Sequence, residues 1–210
     1  MIVAIDGPAG TGKSTIAKLI AEKLGITFLN SGSFYRGITY ALLKAGIDLS
    51  DNEKILDFAR KLDMDYIDSC LYLDGKNVEA YLHTDEVDAH ASQVSSIPAL
   101  RHIVNDKLRK ITEKLSVVCE GRDITTVVFP NAENKFYLDA SIDVQAERRF
   151  KQGVSTLTLE EIKESIRKRD EMDKNKPEGS LKIAPDAFYL DTSDLTIEQV
   201  CAIILNKIHI

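Results

Sequence analysis

Cysteine is scarce in this chain. Three residues, Cys70, Cys119 and Cys201, are spread over 210 positions. They are too few, odd in number and too widely spaced for a disulfide framework or a zinc site. Free thiols in a reducing cytoplasm are the expectation. The four histidines show no metal-ligand spacing. No apolar stretch approaches the length of a membrane span, about 20 residues. The first apolar run ends at Asp6, and the only early cation, Lys13, follows it; that pattern does not read as a signal peptide. Basic residues are outnumbered, 27 Lys and Arg against 33 Asp and Glu, for a net charge of -6. Nonspecific binding to nucleic acid or to an anionic membrane needs the opposite sign. Repeats and low-complexity tracts are missing too. What remains is a composition 44% hydrophobic, enough to bury a core in one compact unit with a small inserted subdomain. A monomer is expected.

Against these absences one local string stands out. Gly7-Pro8-Ala9-Gly10-Thr11-Gly12-Lys13-Ser14-Thr15 fits G-x-x-x-x-G-K-[ST], the phosphate-binding P-loop. An apolar strand-like run, residues 2–5, precedes it, and a helical spacing (Ile16, Leu19, Ile20, Lys23, Leu24) follows. Strand, glycine loop and helix aim backbone N–H groups and a helix N-terminus at one anion. In such a loop Lys13 reaches the β- and γ-phosphates and the Ser14 hydroxyl holds Mg²⁺ with ATP.

Further apolar runs of strand type recur at 26–29, 115–119, 135–138 and 187–190. Helical periods separate most of them, at 13–24, 31–45, 143–152, 158–174 and 196–207. Alternation of this kind predicts an α/β fold, a mainly parallel sheet covered on both faces. The interval 51–114 breaks the pattern. It holds a helical stretch at 51–62, two short alternating runs about a hairpin turn at Asp74-Gly75, a helix start at Thr84-Asp85-Glu86, and a helix over 97–114 opened by Pro98. Residues 63–95 are read as an insertion on the α/β body, and Lys174 to Ser180 as a polar, helix-ending loop.

A GTPase would need an Asp-x-x-Gly switch and an Asn-Lys-x-Asp base reader. Neither occurs, and none of the eleven glycines has Asp three residues before it. A mechanical ATPase usually ends an apolar strand in Asp with a catalytic Glu nearby; here the third strand runs into Glu120-Gly121-Arg122-Asp123, which points elsewhere. A small-molecule kinase should carry arginines at strand and helix tips. The chain has only nine. Arg36 follows the second strand and Arg122 the third; Arg148 and Arg149, then Arg167 and Arg169, lie on later helices. Ligands of doubly wound folds sit beyond the carboxyl ends of strands, so Arg36 and Arg122 are expected to converge near the P-loop mouth. Guanidinium forks suit phosphate and a phosphoryl group in flight. Arg60 and Arg109 read as solvated surface.

These strings together resemble a family, the bacterial cytidylate kinases among the nucleoside monophosphate kinases. The matching stretches run in family order from residue 2 to 193: Ile5 to Thr15, Ser31-Gly32-Ser33-Phe34-Tyr35-Arg36, Glu120-Gly121-Arg122-Asp123-Ile124, Thr126 to Pro130, Leu138-Asp139-Ala140-Ser141, Arg169-Asp170 with Asp173, and Ala184-Pro185-Asp186-Ala187 followed by Leu190 to Ser193. The resemblance implies a P-loop kinase with a five-stranded parallel sheet between helices. It adds a monophosphate-binding region at about 30–114 enclosing the insertion, and a short lid at about 150–158. It implies ATP and CMP or dCMP as substrates, with no nucleic acid or membrane partner.

By the same resemblance, Ser31, Tyr35, Arg36, Gly121 and Arg122 contact the monophosphate, and Ser92 and Arg101 lie on the cytosine side. Asp123 reads the base, since a carboxylate accepts from the 4-amino group that uracil lacks; an ion pair with a neighbouring arginine is the alternative. Arg169 and Asp173 share a helix face, as a phosphate cation and a ribose carboxylate or as a plain intrahelical salt bridge. Lys176 stands where the family usually has arginine. One of Arg148 and Arg149 is the lid arginine. Lys13, Arg122 and these two form the expected catalytic set. Other departures are Asn30 where Asp is usual, Thr125 where Gly is common, and Ser180-Leu181 where Pro-Leu is usual.

Overall fold

The structure, a computed structural model, describes residues 1–151, 153 and 157–209. The chain divides into two compact units. One comprises Met1–Leu29 with Leu115–Ile210, the other Asn30–Lys114.

The first unit is built on a five-stranded parallel sheet. Its strands are β1 (Ile2–Asp6), β2 (Thr27–Asn30), β6 (Val117–Gly121), β7 (Asn134–Asp139) and β8 (Phe188–Asp191). They lie in the order β2-β6-β1-β7-β8. β1 pairs in parallel with both β6 and β7, and β7 with β8. Strands flanked on both sides must be apolar on both faces, and Val3, Ala4 and Ile5 are fully buried. Helix α1 (Lys13–Leu24) buries Ile16, Ala17, Ile20 and Ala21, and α8 (Ile197–Leu205) adds Val200, Cys201 and Ile204 to the same core. Helices α6 (Ile142–Lys151) and α7 (Leu159–Asn175) pack through Ala146, Ile162 and Ile166. The five expected strands are all present within two or three residues of their predicted bounds. The expected end of α6 at residue 152, and residues 152 and 154–156 of the expected lid at 150–158, lie outside the described residues.

The second unit holds α2 (Ser31–Lys44), α3 (Asn52–Lys61), α4 (Asp85–Ser95) and α5 (Pro98–Thr112). With them is an antiparallel sheet of β3 (Met64–Ile67), β4 (Cys70–Leu73) and β5 (Lys76–Asn77). The Asp74-Gly75 hairpin is formed, with φ of 47° and 73°; both residues need positive φ, which suits a type I′ turn. A second tight turn, Asp68-Ser69, has the same sign of φ and carries no glycine to announce it. Asn30 caps α2 by accepting from the Gly32 N–H, and Thr84 caps α4 through the Val87 N–H. Helix α2 comes so close to β4 that a Cβ on Gly37 would meet Leu71 Cδ2 at 2.3 Å.

Candidate active site

In the first unit the P-loop leaves β1 and enters α1. Gly7 passes under β7, where a Cβ would lie 2.0 Å from the Leu138 carbonyl oxygen. Gly10 and Gly12 have φ of 75° and 88°, in the left-handed region that favours glycine. Gly12 is the N-cap of α1 and supplies no side-chain bond, so the first helical N–H groups face the loop interior rather than a cap. Lys13 is buried and donates from Nζ to the Pro8 carbonyl at 2.6 Å and to Thr11 Oγ1 at 3.4 Å. Burial, with the charge of Arg122 adding to it, pushes its pKa down to about 7 against the pull of Glu120, Asp6 and Asp170. Ser14 donates its hydroxyl to Glu120 Oε1 at 2.8 Å. That pair of hard oxygen donors at the end of β6 fits Mg²⁺, which takes one or two carboxylates or hydroxyls and completes its shell with phosphate and water.

Arg122 follows β6 and donates from Nε to Asp173 Oδ2 at 2.9 Å. Lys176 reaches the other oxygen of the same carboxylate at 2.8 Å. Burial raises the Asp173 pKa, but Arg122 and Lys176 outweigh it and the carboxyl stays below its usual range. The intrahelical alternative therefore misses two partners of Asp173, one of them 51 residues away. Lys176 lies just past the end of α7 in extended backbone (φ −59°, ψ 138°), yet its side chain returns to the helix. Arg169 is half-buried, and Asp123 is buried. Asp170, beside Arg169, accepts from the Ala9 N–H at 2.9 Å, tying α7 to the P-loop. Its pKa is raised, by burial above all.

The two lid candidates separate. Arg148 is spent on the body: it donates to the Thr11 carbonyl at 3.2 Å, to Thr192 Oγ1 at 2.9 Å and to the Thr192 carbonyl at 2.6 Å. Arg149 is exposed. A cavity of about 470 Å³ opens beside Pro8, lined by Tyr137, Gln145, Arg167, Asp170 and Lys174 among others. At 100° per residue, Arg167 and Lys174 point to the side of α7 opposite Arg169 and Asp173.

In the second unit the predicted residues gather on α2, α4 and α5. Arg36 forks onto Asp88 Oδ1 at 3.1 and 2.8 Å. Arg101 is buried, lies 5.2 Å from the Tyr35 ring centroid, and donates to the Ser95 carbonyl at 3.1 Å. Ser31 and Tyr35 are buried, and Ser92 is half-buried on α4.

A sequence model for cytidylate kinase matches residues 3–210. The chain belongs to the cytidylate kinase family. The family member cytidylate kinase 1 of Borrelia garinii subsp. bavariensis is 42% identical over 215 residues, spanning 100% of this chain and 97% of that protein. The cytidylate kinase of Clostridioides difficile is 41% identical over 214 residues, spanning 100% and 99%. A solved structure of an uncharacterized protein from Eubacterium ventriosum shares the fold, with a TM-score of 0.55 at 15% identity over 99% of this chain and 97% of that one.

Three acids that hold the P-loop and the segment after β6 escape sequence reading: Glu120, Asp170 and Asp6. Glu120 had a signal, an acid closing an apolar strand. The string Glu120-Gly121-Arg122-Asp123 points away from a mechanical ATPase, which stands, but it assigns Glu120 no partner; the structure supplies one in Ser14. Asp170 and Asp6 lie inside recognised strings, but nothing local says that they bond to Ala9 and to residues 124–125.

Proposed function

We infer that this protein transfers the γ-phosphoryl group of ATP to CMP or dCMP, giving ADP and CDP or dCDP. Beside full-length membership of the family, the supporting observation is the placement of Arg122. Asp6, the last residue of β1, is in register with Gly121 of β6, so the strand end that launches the P-loop adjoins the one that launches Arg122.

The P-loop N–H groups and Lys13 hold the donor. Magnesium bound with ATP supplies neutralisation of phosphate charge, and Ser14 and Glu120 are the residues that would hold it. Ser31, Tyr35, Arg36, Arg122, Arg169 and Lys176 take the acceptor phosphate and its surroundings, and Asp173 takes the ribose. Ser92, Arg101 and Asp123 read the base. Arg149 is the lid arginine, because Arg148 is committed to Thr11 and Thr192. The acceptor is already an anionic oxygen, so positioning and charge neutralisation do the work and no general base is required.

The cations are held in place before any ligand arrives. Lys13 rests on the Pro8 carbonyl, Arg122 and Lys176 on Asp173, and Arg36 on Asp88. A phosphate oxygen then exchanges with an existing acceptor, which spares part of the cost of ordering long side chains. The protein acts as a cytoplasmic monomer in this reading. The test is a panel of CMP, dCMP, UMP, AMP and shikimate with Mg-ATP. CMP or dCMP is expected to lead by a wide margin; preferential turnover of AMP or shikimate would reject the assignment.

A further inference from the structure

Immediately after Arg122 and Asp123 the chain makes one turn of π-helix, Ile124–Val128. The Val128 N–H bonds to the Asp123 carbonyl at 3.1 Å and the Phe129 N–H to that of Ile124 at 2.7 Å. Ile-Thr-Thr-Val-Val is wholly β-branched, a composition that disfavours helix. Any helix start leaves its first N–H groups without partners inside the helix. Here those groups are buried: Ile124 is 0% and Thr125 1% exposed. Asp123 occupies the N-cap position, and an aspartate there usually bonds its own helix. It makes no such bond.

The cap comes from another strand. Asp6, fully buried at the end of β1, accepts from the Ile124 N–H at 2.9 Å through Oδ1. Through Oδ2 it accepts from the Thr125 N–H at 2.7 Å and from Thr125 Oγ1 at 2.6 Å. The neighbouring residue in sequence is Gly7, the first of the P-loop. We infer that Asp6 is a positioning residue that caps the π-turn in place of Asp123 and so fixes Arg122 and Asp123 for acceptor binding and base selection.

The inference rests on Asp123 reading the base, as proposed above. Its own content is that the Asp123 carboxylate serves that role because a second aspartate has taken over the capping. The side chain of Thr125 supplies one of the three bonds to Asp6. Burial pushes the Asp6 pKa up to about 6 although the three bonds favour the ionised form. At neutral pH the carboxylate is therefore present with all its acceptor capacity.

Asp6→Asn keeps the volume but turns one acceptor into a donor that must face a backbone N–H of the turn, that of Ile124 or of Thr125. A slackened turn misplaces Arg122 and Asp123, and displacements of about 1 Å cost up to about a hundredfold in enzymes. The expected result is a CMP KM raised about tenfold or more and a reduced CMP-to-UMP preference in kcat/KM. The ATP KM should stay within about twofold, since the phosphate-binding N–H groups lie beyond Gly7. Thr125→Val removes only the hydroxyl bond and should shift CMP KM the same way, about two- to threefold, in keeping with one hydrogen bond. It carries the test if Asp6→Asn does not fold.

Asp123→Asn, measured alongside, separates the two readings. If Asp123→Asn lowers base preference but Asp6→Asn and Thr125→Val leave CMP KM and preference unchanged, the positioning role is wrong and the base reader stands. If Asp123→Asn itself leaves the preference intact, the base-reading assignment fails and this inference with it. An Asp6→Asn protein that raises the ATP KM as much as the CMP KM would show Asp6 serving the P-loop instead, and would overturn the proposal.

Discussion

Lys13 is the residue where burial and charge most directly oppose each other. Its ammonium is enclosed and rests on one carbonyl. Burial and Arg122 bring its pKa from 10.5 to about 7. Bound ATP places several negative oxygens at that ammonium and must raise the pKa again. ATP binding at pH 8 should therefore take up a fraction of a proton, with uptake rising from pH 7 toward 9. Titration calorimetry in buffers of different ionisation enthalpy measures it. Absence of uptake would mean that the lysine is already charged in the free enzyme. Lys13→Ala should abolish the uptake and lower turnover by about a hundredfold or more, as loss of a preorganised charge does. The stability consequence has a definite sign. The folded pKa lies below the unfolded one, so between about pH 7 and 10.5 the unfolded chain binds more protons at this site. Its contribution to stability thus rises with pH across that window. Lysine at this position could be read from the string alone. Its resting partner and its depressed pKa could not, because both depend on what surrounds it.

Helix α7 shows how one element divides stability from function along its length. At its start Thr158 forms a capping box with Glu161: each side chain accepts from the other's N–H. Along one face it carries Arg169 and Asp173, and at its end Lys176 folds back onto Asp173. The two ends should respond differently to substitution. Thr158→Ala removes the cap and should lower Tm by about 2–4 °C while leaving the CMP KM near wild type. Lys176→Ala should barely move Tm but raise the CMP KM severalfold, since it takes away one charge-assisted bond, about 1–2 kcal/mol. Lys176→Arg should lower it, because a planar fork can hold carboxylate and phosphate together. Thermal melts and steady-state kinetics on the three variants check both halves. If Lys176→Ala left the CMP KM unchanged, its bond to Asp173 would be structural only. The sequence places this helix well, from its apolar period and its Thr-x-x-Glu start. It does not say that the chain would leave the helix at Lys176 while the side chain stays. That return depends on the loop beyond, where the Leu181 N–H closes onto the Asp173 carbonyl at 2.8 Å.

At the scale of the molecule, a chain of net charge -6 needs only a few local cations to bind a small polyanionic substrate. In the proposed reading these are Lys13 and Arg122 in one unit and Arg36 and Arg101 in the other, each resting on a fixed acceptor. A nucleotide bearing a few charges can exploit such sites; an extended nucleic acid cannot, since its affinity grows with the number of phosphates neutralised. No complex with single- or double-stranded DNA is expected in a gel-shift experiment at about 50 mM salt, where electrostatic binding is strong. A salt-sensitive complex would point to a cationic face formed in the folded protein. Among the described residues no helix is long and apolar enough to cross a membrane.

The sequence by itself determined whatever is contiguous or periodic. The P-loop is one string whose glycines and lysine act within a few residues of each other. The parallel strands follow from short continuous apolar runs, those of the insertion from alternation, the helices from an apolar period of 3.6, and the Asp74-Gly75 turn from the backbone freedom of two adjacent residues. Only the tertiary structure decided which acid serves which partner. Asp6 bonds residues 118 and 119 positions away, Glu120 reaches Ser14 across 106, and Asp173 takes Arg122 across 51. The π-turn at Ile124–Val128 and the 3₁₀ turn at Glu79–Tyr81 likewise have no local signal; β-branched residues enter the former because a distant carboxylate holds its N–H groups. The physical reason lies in the strand order. β1 is inserted between β6 and β7, so side chains meet at strand ends that the chain visits at widely separated times, and short-range propensity carries no record of such meetings.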